Sequence, residues 1–298
     1  MSLGTTQSGA LTYSNTEKYI KVNGIDIHYH EASPELKEVV IFIHGGGIGS
    51  SGWFNYYLNI EPFSKHFRTI LIDMPNYGKS SSHLFEQGED ASRASADLLA
   101  EFMRLLEIPR ASLMGNSKGG VEAISFAVYH PDKLDYNVLM GAVAGQSIFE
   151  SGPSHGAATL WEVTQNPSRE LMDKAVRLFF FDQSKVTEEL LEMRWKAVED
   201  AVSAGFRDAF LDNATRTQFV DQTPNLPNVA SPVLIVYGAY DRFVPFDIQV
   251  SMLRRFPQAE LHVFRNCGHW VQYEAAEDFN RVVISWLLGQ HERTSAQG

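Results

Sequence analysis

Ala111-Ser-Leu-Met-Gly115-Asn-Ser117-Lys-Gly119-Gly120 sets a G-x-S-x-G sequence between an apolar, strand-like run and a helix-like one. That spelling describes a nucleophile elbow. A serine presented at a strained strand-to-helix turn needs neighbours without side chains, and Gly115 and Gly119 supply them. The helix that follows aims its free N–H groups at whatever negative charge develops beside the serine. A lone G-x-S-x-G is also compatible with an ordinary turn, so the rest of the chain has to decide between the two.

On both sides of this stretch the expected elements alternate. Tyr19 to Tyr29 alternates apolar and polar residues around Asn23-Gly24, a dipeptide that tolerates positive φ twice, and predicts a hairpin. Val39 to Ile43 is a continuous apolar run, the mark of a strand covered on both faces, and it ends in His44-Gly45-Gly46-Gly47. Trp53 to His66 reads as helical, Thr69 to Asp73 as the next buried strand, and Ala94 to Ile108 as an amphipathic helix closed by Pro109. After the elbow come a helix over Gly119 to His130 and a strand around Tyr136 to Met140. The alternation then stops: Gly145 to Gly156 is rich in Gly, Ser and Pro, and the segments beyond it are helical in pattern. Asn166-Pro167 predicts a cap with proline at the first helical position, and Thr187-Glu-Glu a second helix start. Val233 to Tyr237 and Leu261 to Phe264 are the last strands expected, and Ala275 to Leu288 the closing helix. The prediction is an α/β fold with a mostly parallel, doubly wound sheet formed by residues 1–145 and 216–298, and an inserted helical lid over 146–215. The site belongs at the C-terminal ends of the strands, under the lid.

The chain has 298 residues, 44% hydrophobic and 20% charged, enough for one large core. A formal net charge of −11 argues against nucleic acid and against anionic membrane surfaces, leaving small molecules as the expected partners. One cysteine, Cys267, permits neither an intramolecular disulfide nor a cysteine-based zinc cluster, which fits a reducing cytoplasm. Ser2 to Thr16 shows no export signal, and no apolar run is long enough for a membrane span.

Serine is a poor nucleophile until a base takes its proton, and histidine serves best when a carboxylate fixes its tautomer. In this fold the order along the chain is Ser, acid, His. Asp241 follows the strand Val233 to Tyr237, and His269 follows Leu261 to Phe264, so both fall on the rim that carries Ser117. Asp73 competes for the acid role but precedes the serine, and its expected task is to tie down its own loop. His44-Gly45-Gly46-Gly47 reads as an oxyanion loop, with Gly46 and Gly47 backbone N–H joining that of Lys118; each such donor is worth about 3 kcal/mol in the transition state. A phosphate loop would run into a helix bearing Lys and Ser/Thr, which is absent here. Lys118 itself opposes the helix dipole. It either pairs with Glu122 one turn on, the favoured reading, or faces substrate. Arg194 has Leu190, Leu191, Ala197 and Val198 at helical spacing and no carboxylate within helical reach. It must find an acidic partner elsewhere or an anionic ligand, and the residues alone do not choose.

These residues resemble the meta-cleavage product hydrolases, α/β-hydrolases that cut a carbon–carbon bond in ring-fission products of aromatic degradation. The resemblance runs from about Asn23 to Leu288. It rests on His44-Gly-Gly-Gly with Trp53 and Asn55, Gly115-Asn116-Ser117, Asp182-Gln-Ser184 with Thr187-Glu-Glu-Leu and Arg194-Trp195, Gly238 to Pro245, and Cys267-Gly-His269-Trp270. It implies that Ser117, Asp241 and His269 form the triad. Gly46, Gly47, Asn55, Asn116, Ser184, Arg194 and Trp270 would then hold a 2-hydroxy-6-oxo-hexa-2,4-dienoate, with Arg194 on its carboxylate. Phe179, Phe180, Phe243 and Val244 would shape the pocket for the C6 substituent. A homo-oligomer and a reaction that needs no metal or other cofactor are also implied. Two departures stand out: Lys118, where an apolar residue is expected, and Asn76-Tyr77-Gly78 after Asp73. The rival readings are a carboxylesterase on small neutral esters and a ligand receptor built on a hydrolase fold; an intact triad disfavours the second, and Arg194 with its lid block the first.

Overall fold

The strands assemble into one eight-stranded sheet in the order β1-β2-β4-β3-β5-β6-β7-β8. In this computed structural model they span Glu17–Val22 (β1), Ile25–Ala32 (β2), Val39–Ile43 (β3), Arg68–Ile72 (β4), Ala111–Asn116 (β5), Leu134–Met140 (β6), Val233–Gly238 (β7) and Ala259–Phe264 (β8). Residues 10–296 are described; the first eight residues of the Ser2 to Thr16 stretch read as lacking an export signal lie outside them. β1 and β2 form the antiparallel hairpin, turning at Asn23 and Gly24 with φ of 49° and 86°. β2 joins β4 antiparallel, and every other pairing is parallel.

β3 explains where the site lies. Its neighbours are β4 on one side and β5 on the other, so the winding reverses at β3 and opens a crevice beyond its carboxyl end. The His44 loop leaves β3 at that point, and Ser117 follows β5, with Ile43 paired to Gly115. All five β3 side chains are buried. Ile41 and Ile43 join the core on one face with Leu99 and Phe126, while Val40 and Phe42 face Tyr56, Phe63 and Phe279 on the other. Such burial contributes roughly 1.5–3 kcal/mol per side chain, which is why a run without polar alternation is stable only as a central strand.

The helices are shifted at their ends relative to the sequence reading. The first amphipathic helix is Ala91–Leu105, started by Asp90, whose carboxylate accepts from Ser92 and Arg93 N–H. Trp53 to His66 divides into Gly52–Tyr56 and Ile60–Ser64, and the closing helix runs over Ala276–Ser295. Between β6 and β7 the chain forms four helices of eight or more residues, His155–Gln165, Arg169–Phe179, Glu188–Ser203 and Phe206–Arg216. Thr187 caps its helix as expected, accepting from Leu190 N–H. Asn166-Pro167 does not: the cap is Ser168, whose hydroxyl accepts from Leu171 N–H, leaving Pro167 one position outside.

Candidate active site

Ser117 is a non-glycine residue at φ 54°, ψ −115°, a conformation that costs roughly 1–3 kcal/mol and must be held by its surroundings. Its N–H donates to Met140 C=O at 2.7 Å and its C=O accepts from Gly120 N–H at 2.9 Å. The flanking glycines are obligatory for a specific reason. A Cβ on Gly115 would lie 2.3 Å from the Gly119 oxygen, and one on Gly119 would lie 2.3 Å from the Ile43 oxygen. The helix Lys118–Tyr129 therefore begins at the crevice with its N-terminus toward the serine.

Asp241 and His269 arrive from the ends of β7 and β8. Nδ1 of the imidazole donates to Asp241 Oδ2 at 2.7 Å, and both side chains are almost fully buried. Asp241 Oδ1 accepts from the N–H groups of Phe243 and Val244 at 2.7 and 3.0 Å. Fully hydrogen-bonded, the carboxylate fixes the ring so that Nε2 is the free nitrogen. Ser117 and His269 line one cavity with Gly46, Asn55, Asn116 and Trp270, although no hydrogen bond yet joins the hydroxyl to the imidazole. Asp73 is engaged elsewhere: Oδ1 accepts from Gly52 N–H, and Oδ2 from Lys79 N–H and His28 Nδ1.

The loop after β3 lies against the elbow. A Cβ on Gly45 would meet Asn116 Oδ1 at 2.8 Å, and one on Gly46 the Lys118 Cβ at 3.3 Å. The buried His44 imidazole bonds Gly45 C=O through Nδ1 at 2.8 Å and accepts Met74 N–H at Nε2, fixing its tautomer. Holding that carbonyl turns the next N–H, that of Gly46, the opposite way across a trans peptide. Gly47, at φ 94°, sits under Leu160 and off the cavity, so of the two expected loop donors Gly46 is the one at the site.

Arg194 is the largest fully buried side chain. One amine donates to Gly49 C=O at 3.0 Å, Nε has no partner, and the guanidinium lies 5.4 Å from the Trp270 ring centre and 5.9 Å from that of Phe54. Among the described residues no carboxylate pairs with it, and burial lowers its pKa to about 10. Lys118, in contrast, is ion-paired to the buried Glu122.

Arg194 does not itself line the Ser117 cavity; three other expected contacts also need correction. Ser184 is exposed, its hydroxyl spent on Asp182 Oδ1 at 2.6 Å in a short turn, so it does not reach the cavity. Phe180 and Val244 are buried behind the wall. Phe179 stacks between Phe243 and Trp270 at 4.3 and 4.2 Å, while the adjacent extended residue Phe180 points away to the edge of Trp270 and to Tyr273. Val244 serves Asp241 through its N–H.

A family model described as the alpha/beta hydrolase fold matches residues 38–276. The 2-hydroxy-6-oxo-6-phenylhexa-2,4-dienoate hydrolase of Comamonas testosteroni is 38% identical over 93% of this chain and 98% of its own length. The chain belongs to the meta-cleavage product hydrolases. The 2-hydroxy-6-oxononadienedioate/2-hydroxy-6-oxononatrienedioate hydrolase of Burkholderia vietnamiensis is 36% identical, covering 93% of this chain and 97% of that one. Among solved structures, the meta-cleavage product hydrolase of Pseudomonas fluorescens IP01 superposes with a TM-score of 0.81 at 29% identity, covering 91% and 97% of the two chains.

Two residues of this hydrolase escaped the sequence reading. Glu274, buried, accepts from Gly268 N–H at 2.7 Å with one oxygen and from Asp182 N–H at 2.6 Å and Phe181 N–H at 3.0 Å with the other, stitching the segment after Phe179 to the loop that carries His269. Gly141, at φ 49°, leaves room for the Asp–His pair: a Cβ there would lie 2.8 Å from His269 Cε1 and 3.1 Å from Asp241 Oδ2. The only cue was a glycine at the end of a buried strand. Gly141→Ala is expected to displace the imidazole and lower kcat by roughly 10- to 100-fold, with a smaller change in KM. Steady-state kinetics and a melting curve on the purified variant check this; an unchanged kcat would show that the ring has freedom to spare.

Among the described residues no cluster of three or more His, Cys, Asp or Glu side chains is placed to hold a metal ion, and no helix is long and apolar enough to cross a membrane.

Proposed function

We propose that this hydrolase cleaves the C5–C6 bond of a 2-hydroxy-6-oxo-hexa-2,4-dienoate-type ring-fission product, giving 2-hydroxypenta-2,4-dienoate and a carboxylic acid. The supporting observation is Arg194: a buried cation with no carboxylate partner among the described residues, beside Trp270 and against the oxyanion loop, calls for an anionic ligand. Asn55 agrees with it, since its buried Oδ1 has no partner and the residue lines the Ser117 cavity, where a substrate hydroxyl would satisfy it.

Each residue then has a task. With the carboxylate on Arg194, the dienol first becomes a ketone, which makes C5 a saturated carbon next to the C6 carbonyl. His269 Nε2 takes the Ser117 proton as Oγ bonds to C6. The negative oxygen that results is met by the N–H groups of Gly46 and Lys118. When the carbonyl reforms, the C5–C6 bond breaks and its electron pair passes through C4 and C3 to the C2 oxygen. That oxygen collects the proton His269 took from Ser117, and the hydroxydienoate leaves, with His269 neutral again. Water, deprotonated by His269, releases the acid from Ser117. The stack of Phe179, Phe243 and Trp270 covers this centre, and the enclosed volume is about 20 Å³, about that needed for a water molecule. Residues 146–215 thus act as a lid that has to move for a dienoate to enter.

The test is turnover of a panel of yellow ring-fission products with phenyl or alkyl C6 substituents, alongside a small neutral p-nitrophenyl ester. Loss of colour with equimolar release of acid is expected, at a kcat/KM at least roughly tenfold above that for the ester. Rapid ester hydrolysis with every dienoate left intact would make the protein an esterase.

A further inference from the structure

Asn76, Tyr77 and Lys118 meet in the wall of a second cavity. It measures about 150 Å³ and lies between the loop after β4, the helices Ala91–Leu105 and Lys118–Tyr129, and the helix Phe206–Arg216 of the inserted block. Phe85, Ala91 and Phe210 make much of the wall apolar. Two of the residues lining it are buried and each carries a polar atom without a partner among the described residues: the Tyr77 hydroxyl and Glu122 Oε2. The other Glu122 oxygen is taken by Lys118, whose ammonium lies 5.6 Å from the centre of the Tyr77 ring.

We propose that this cavity is a second small-molecule site, separate from the Ser117 cavity, for a neutral aromatic compound bearing one hydroxyl group, of the phenol class. A volume of about 150 Å³ has room for a benzene ring. An unpaired buried carboxylate oxygen and an unpaired buried hydroxyl cost free energy until something satisfies both. A phenolic O–H does so, donating to Glu122 Oε2 and accepting from the Tyr77 hydroxyl, which burial keeps protonated. An anionic ligand would meet the Glu122 carboxylate, whose charge Lys118 already balances, and a purely apolar one would leave both groups unpaired. Because one wall is the helix Phe206–Arg216 and the others belong to the sheet domain, an occupant braces the inserted block against the domain beside the elbow.

Binding is read directly, without reference to the reaction, by fluorine NMR titration of 4-fluorophenol and 4-fluorotoluene. The phenol is expected to bind roughly tenfold or more tightly than the toluene. Tyr77→Phe removes a hydroxyl that has no protein partner and keeps the ring, so the protein should fold normally while the advantage of the phenol falls to about twofold or less. Ala91→Leu, which fills the cavity from the first turn of its helix, should weaken both probes. Binding should also survive sulfonylation of Ser117 by phenylmethanesulfonyl fluoride, which occupies the catalytic cavity. Equal affinity for the two probes, an undiminished phenol preference in Tyr77→Phe, displacement on sulfonylation, or no saturable binding at millimolar concentration would each overturn the proposal; the last would mean that the cavity holds water alone.

Discussion

Ser117→Ala will give a folded protein that binds substrate and turns it over at less than roughly a ten-thousandth of the wild-type rate. The size of the loss follows from how the serine is used: removing the nucleophile from an intact acid–base pair forfeits most of the advantage of the whole constellation. Folding should survive because the side chain supplies no packing or capping. Among the described residues its hydroxyl makes no hydrogen bond, and the strained backbone is held by Met140, Gly120 and the close approach of Gly115 to Gly119, none of which involves Oγ. A melting curve and an equilibrium binding measurement on the variant separate chemistry from structure. Activity above a hundredth of wild type would remove the covalent role from Ser117 and leave it, at most, a polar neighbour of the reacting carbonyl.

Much of the fold was legible because its signals are local. Val39 to Ile43 reads as a doubly covered strand without knowing what covers it, and Asn23-Gly24 dictates a hairpin from two φ angles alone. The order Ser117, Asp241, His269 could be read for the same reason, since each residue follows an apolar run that ends at one rim of the sheet. What could not be read depends on approach between distant segments. Gly141 matters only because Asp241 and His269 pack against it, and Glu274 only because the segment Phe181-Asp182 comes within reach of Gly268. Ser184 failed in the opposite sense: its sequence neighbourhood matches a pattern, but Asp182, two residues earlier, captures the hydroxyl in an exposed turn. Phe180 shows the same limit at finer scale. A helix ends at Phe179, and one residue of extended backbone suffices to turn the next aromatic ring away from the cavity. Local propensity set the order of elements, and tertiary contact decided which of their side chains share a space.

Arg194→Gln is expected to separate a carboxylate-binding guanidinium from a structural one. Helical spacing left two readings open, an acidic partner elsewhere or an anionic ligand, and the structure supplies no acidic partner among the described residues. It also reveals a competing task, because the Arg194 amine donates to Gly49 C=O, and Gly49 is packed so closely on the same helix that a Cβ there would lie 2.8 Å from Val198 N. The residue could therefore serve only to clamp the oxyanion loop. Arg194→Gln distinguishes the two, since glutamine keeps an N–H donor but loses the charge and the bidentate fork. If the guanidinium binds the dienoate carboxylate, its loss costs about 2–5 kcal/mol. On that basis kcat/KM for the dienoate falls by roughly 30- to 5,000-fold. A small neutral ester needs only the triad and the oxyanion donors, so its hydrolysis should change by less than roughly tenfold. The decisive measurement is the ratio of these two kcat/KM values in Arg194→Gln relative to wild type. A selective loss on the dienoate is the predicted result; equal losses on both substrates would make Arg194 a clamp for the Gly49 loop and contradict the assignment of an anionic dienoate to this site.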